Sequence, residues 1–84
     1  MSKGQQIKLN IELSDKLANF LVTRPSMLKK YAGYSYVIFS STNMELNRLN
    51  HHLIHELLLE SKGVVKAKET GNVSSPWEFS PIVN

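Results

Sequence analysis

His51 and His55 stand four residues apart in a stretch of helical periodicity. At that spacing two imidazoles share one side of a helix and can grip a single metal ion. His52 and Glu56 repeat the spacing one step on. The metalloprotease pattern H-E-x-x-H is not completed, because no histidine stands three positions after Glu56. A helical projection sets His51, His52 and His55 opposite the stripe of Leu46, Leu53 and Leu57. A site there would lack the outer partners that fix ligand geometry. A solvated polar face accounts for the same residues, and no metal is expected; His51 and His55 are the weak candidates.

Ser40-Ser41-Thr42-Asn43 is the second cluster. It follows an apolar run and precedes a helical pattern, so it falls at the carboxyl end of a strand and the start of a helix. Free N–H groups and the helix dipole draw anions to such a turn. The glycines that let backbone approach a phosphate are missing, so neither dinucleotide nor P-loop fingerprint is present. Thr42 as a helix cap explains the same residues. Ser40, Ser41, Thr42 and Asn43 are therefore candidates for a small anion or nucleotide, as an alternative to the main functional expectation.

Nothing else in the sequence has the form of reaction chemistry. There is no cysteine, which removes disulfides, thiol nucleophiles and cysteine–zinc sites together. No G-x-S-x-G elbow occurs, and no carboxylates pair for acid–base work. The expectation is a non-enzymatic protein without a cofactor.

The elements that would position these residues follow from hydrophobic period. Residues 7–22 admit two patterns. Ile7, Leu9, Ile11 and Leu13 alternate as a strand would, while Leu9, Leu13, Leu17, Phe20 and Leu21 fall on one helical side. The helical pattern runs longer and is favoured, with Asn10 as an acceptable cap. Pro25 starts a short helical segment from Ser26 to Tyr31 that ends at Gly33. Tyr34–Ser40 is the clearest strand, its core Tyr36-Val37-Ile38-Phe39 suited to cover on both faces. Thr42-x-x-Glu45 has the form of a capping box. It opens a long helix striped with Leu46, Leu49, Leu53, Ile54 and Leu57, and Gly63 closes that helix as a C′ glycine. Val64–Lys68 is a second strand. Strand, helix and strand make a right-handed βαβ unit with parallel strands.

The expected architecture is thus a small single α/β domain over residues 1–84. Its order is α-β-α-β around a central βαβ unit, with an extra edge strand from the tail, from residues 7–13, or from another subunit.

Over 84 residues the net charge is +3 at pH 7. The basic residues are scattered, with only Lys29-Lys30 and Lys66-x-Lys68 close together, whereas nucleic-acid binders gather them in a stripe. A nucleic-acid-associated or regulatory role through Lys29, Lys30, Lys66 and Lys68 is the other alternative. No run approaches the roughly 18 apolar residues of a membrane span, and no signal peptide is apparent. A cytoplasmic protein is expected. Leu58 and Leu59 make the end of the long helix apolar nearly all round, and Trp77, Phe79, Ile82 and Val83 add apolar surface in the tail. They either wrap one core or meet a partner. Self-association through Leu58, Leu59, Trp77 and Phe79, most simply as a dimer, is the functional expectation.

Taken in order, Asn10-x-Glu12-Leu13-Ser14, Leu17, Phe20-Leu21, Pro25, Tyr36-Val37-Ile38-Phe39, Glu45-Leu46-Asn47-x-x-Asn50-x-x-Leu53 and Val64-Val65 form a pattern. It resembles a family of small uncharacterised bacterial proteins. The likeness spans about residues 8–68 and implies a single α/β domain with a helix at residues 10–22. It implies no activity. In such proteins the stretch before the long helix tends to be acidic and to contain proline, where this chain has Ser40–Asn43.

Overall fold

A computed structural model describes residues 1–60 and 63–82. Helix α1 spans Lys3–Val22 and buries Leu13, Leu17 and Leu21 along one side. The strand alternative for residues 7–13 fails because it would align Ile7 and Ile11 with Leu9 and Leu13. In the helix they turn outward and are 52% and 57% exposed. The helix begins well before Asn10, at a capping box formed by Ser2 and Gln5. The Ser2 hydroxyl accepts the Gln5 N–H at 3.1 Å, and the Gln5 side-chain oxygen accepts the Ser2 N–H at 3.0 Å.

Helix α2 spans Pro25–Lys30 with proline in its first turn. Gly33 follows at φ +83, a backbone region open to glycine. Strand β1 is Ser35–Phe39, and helix α3 is Met44–Leu59. Its cap is Asn43, not Thr42: the Asn43 side-chain oxygen accepts the Leu46 N–H at 3.0 Å. The expected Thr42–Glu45 box lies one residue out of phase with the true first turn, and Glu45 pairs instead with the Met1 amine. Gly63 is not the C′ residue either, since Glu60 is the C-cap. A Cβ at Gly63 would stand 3.2 Å from the Tyr34 ring, so close approach accounts for this glycine.

Strand β2 is Val64–Glu69, and the tail supplies β3, Trp77–Ile82. The sheet order is β1-β2-β3. The first pair is parallel, with Val37 opposite Lys66; the second is antiparallel, with Ala67 opposite Phe79. The fold is therefore α/β, and the extra edge strand comes from the C-terminal side.

Pleating sends Tyr36, Ile38, Val65, Ala67, Trp77 and Phe79 to one face and Val37, Phe39, Val64 and Ile82 to the other. Helix α1 covers the first face, and Leu13, Leu17, Leu21, Ile38, Leu46, Ala67 and Trp77 form its core. Helix α3 covers part of the second, where Val37, Phe39, Val64 and Ile54 gather. Leu46 is fully buried. Burying such a side chain contributes about 1.5–3 kcal/mol.

Candidate binding crevice at the sheet edge

The polar residues of α3 that face inward are Asn47 and Asn50. Asn50 is 1% exposed, one turn from Leu46 and one from Ile54 on the same buried side. Its amide nitrogen donates to the Ile38 carbonyl at 2.7 Å and to the Asn10 side-chain oxygen at 2.8 Å. Its oxygen accepts from Asn10 at 3.2 Å and from Gln6 at 3.3 Å. All four bonding positions of this amide are filled, as a buried polar group requires. Asn47 closes the end of β1, accepting the Ser40 N–H at 2.7 Å and donating to the Ser40 carbonyl at 2.9 Å.

These bonds define the outer side of β1. Ser35 turns its N–H toward β2, where it meets the Gly63 carbonyl at 3.0 Å. Strand alternation then points the backbone groups of Val37 and Phe39 inward, and those of Tyr36, Ile38 and Ser40 outward. Asn50 and Asn47 take the Ile38 carbonyl and both groups of Ser40. The Tyr36 N–H, the Tyr36 carbonyl and the Ile38 N–H have no partner among the described residues. They lie at the floor of a hollow of about 210 Å³ lined by Asn10 and Ser14 of α1, Tyr36–Ile38, and Asn50 and Leu53 of α3. No charged residue lines it. Ile7 and Ile11 share the Ser14 side of α1, and Leu53 is 37% exposed at the opposite wall.

The Tyr36 ring leaves this edge for the α1-side core, near Tyr31 at 6.4 Å and Phe79 at 6.5 Å between ring centres. Its hydroxyl is buried without a hydrogen-bond partner among the described residues. Burial, and then the neighbouring Tyr31, raise its ionisation above the ordinary tyrosine value.

The turn at Ser40–Asn43 is brought together, but its donors are already engaged. The Ser40 hydroxyl accepts the N–H groups of Thr42 and Asn43, each at 3.1 Å. The Glu69 carboxylate accepts the Ser41 N–H at 3.3 Å and its hydroxyl at 3.2 Å. A carboxylate thus stands where a bound anion would sit, and Glu12 lines the same hollow beside Lys16. Lys16 itself lies 3.5 Å from Glu69.

His51 and His55 meet edge to face with ring centres 5.2 Å apart. Both are exposed, and no group of three or more potential metal ligands forms among the described residues. Lys66 and Lys68 lie on the α3 side of β2, with Lys66 over the Phe39 ring. Lys29 and Lys30 end α2, next to Tyr31, which stacks with Phe79 on the opposite face. The two basic pairs therefore do not merge into one stripe.

The expected interface is divided by the fold. Trp77 is 8% exposed within the α1-side core, and Phe79 packs against the same cluster. The alternation of β3 delivers both to that face, where they pack on this chain's own core. Leu58 packs on the α3-side core with Ile82, whereas Leu59 is 87% exposed. Val83 lies outside the described residues. The signal for the crevice was Asn50, a polar residue set within an apolar stripe. The four-residue spacing of His51 and His55 marks the exposed side of the same helix instead.

Fold and crevice define a small mixed-sheet α/β domain in which the outer edge of β1, unpaired with any strand, borders a hollow between two helices. No family model, curated protein or solved structure matches the chain. No helix among the described residues is long and apolar enough to cross a membrane.

Proposed function

We propose that the chain is a non-enzymatic, cytoplasmic interaction protein of the small bacterial family it resembles, and that it binds an extended peptide segment along the outer edge of β1. The observation that carries this reading is the pair of unpartnered groups on Tyr36 with the Ile38 N–H, set between uncharged walls of α1 and α3. An added strand satisfies backbone groups of this kind, and pockets on either side select its side chains. The opposite edge is less receptive, because β3 contains Pro81 and exposes Glu78 and Ser80.

The test is a titration with heptapeptides alternating threonine with valine or isoleucine, followed by amide resonances. Shifts should concentrate at Tyr36, Ile38, Asn10, Asn50 and Leu53, and Leu53→Lys should remove them. Shifts scattered elsewhere, or none with any peptide, would refute the reading.

A further inference from the structure

We infer that the segment taken up by this edge is β1 of a second copy, paired antiparallel about a two-fold axis through Tyr36. The inference rests on the edge-binding reading above and names its partner.

The hydrogen-bond register carries the inference. Antiparallel pairing centred on Tyr36 sets each Tyr36 opposite the partner's Tyr36, and the two exchange both N–H···O bonds. The next bonded pair sets Ile38 opposite the partner's Tyr34, so the Ile38 N–H meets the partner's Tyr34 carbonyl. This register uses the Tyr36 N–H, the Tyr36 carbonyl and the Ile38 N–H, which are the groups left open. Where Ile38 stands opposite the partner's Tyr34, the Ile38 carbonyl faces the N–H of the partner's Tyr34 and the two make no bond, since Asn50 already holds the first; Ser40, held by Asn47, lies beyond the paired residues. Any register shifted toward Ser40 would displace those asparagines. The Tyr34 N–H is likewise engaged, at 3.0 Å from the Tyr31 carbonyl.

Charge and shape agree with a second copy. Each chain carries +3, so a contact without basic residues adds least to the repulsion between two copies. Tyr34–Ile38 contains no charge, and none lines the crevice. The strand also lacks the lysine, proline or bulge that guards an edge against self-pairing. Joining the two edges produces one continuous sheet with the three strands of each copy. It also brings Ile7, Ile11 and Leu53 of one copy toward those of the other.

The test measures solution mass and amide hydrogen exchange on the full chain from micromolar to millimolar concentration. The mass should double, while exchange at Tyr36 and Ile38 slows by at least about tenfold. Leu53→Lys, which sets like charges across the axis, should weaken the dimer by about tenfold or more without unfolding the monomer. A dimer in which Tyr36 and Ile38 still exchange rapidly would overturn the inference. So would a monomer at every concentration. If that monomer still binds the heptapeptides at Tyr36 and Ile38, only the choice of partner is wrong. If it binds none of them, the edge-binding reading falls as well.

Discussion

The buried amide of Asn50 and the buried hydroxyl of half-buried Tyr36 have opposite accounts. Asn50 fills every bonding position of its amide and ties α1, α3 and β1 to one point. Truncating it strands the Ile38 carbonyl and the Asn10 amide, so Asn50→Ala should cost about 2–4 kcal/mol in denaturant unfolding. The Tyr36 hydroxyl is buried with no bond among the described residues. Removing it while keeping the ring should cost nothing, and Tyr36→Phe should stabilise by about 1 kcal/mol. The pair also differs in pH dependence. Burial, then Tyr31, raises the Tyr36 ionisation in the folded chain, so the unfolded chain releases this proton first. The folded state is therefore favoured fully below the ordinary tyrosine value near 10 and loses that margin as pH rises through the raised value. Stability of the parent chain should fall more steeply above pH ~10 than that of Tyr36→Phe. Equal alkaline slopes, or a less stable phenylalanine variant, would contradict this account.

The start of α3 shows how an element is fixed by one side chain. Asn43 caps the Leu46 N–H, while Thr42 contacts the Ser40 hydroxyl at 3.5 Å and caps nothing in the helix. Asn43→Ala should cost about 1 kcal/mol, and Thr42→Ala only a few tenths, in thermal or urea unfolding. The reverse order would restore the Thr42–Glu45 box. Periodicity sufficed for α3, β1 and β2 because their apolar residues repeat cleanly. It also favoured α1, whose leucines outlast the strand-like alternation of Ile7–Leu13. Phase was harder to obtain. Thr42 and Asn43 are both good caps, and only packing of Leu46 into the α1-side core selects between them. The Ser2–Gln5 box is equally legible but lies among polar residues, ahead of the apolar pattern that starts at Ile7. β3 was the least legible element, because Pro81 and two polar positions interrupt its alternation. The crevice was illegible for a related reason. It is made of backbone groups, and their exposure depends on which neighbouring strand is missing.

At the scale of the whole molecule, an 84-residue chain has divided its apolar residues between two faces of one sheet. A domain of this size buries only about 60–65% of its unfolded surface, so neither cluster has enough area to fold alone. Helix α3 joins them: Leu46 belongs to the α1-side core and Ile54 to the other. The strands join them again, since neighbouring residues of β1 point to opposite faces. Disruption on one side must therefore loosen the other, and the chain should unfold as one cooperative unit. The chain has one tryptophan, and Trp77 reports the α1-side core. Far-ultraviolet dichroism reports the helices on both sides. The two signals should give coincident urea midpoints. Ile54→Ala, on the face away from Trp77, should lower both together by an equivalent of about 2–4 kcal/mol. A tryptophan transition left in place by Ile54→Ala would mean that the two faces fold independently. The two midpoints should also rise together with protein concentration if β1 pairs with a second copy, because association stabilises the folded state.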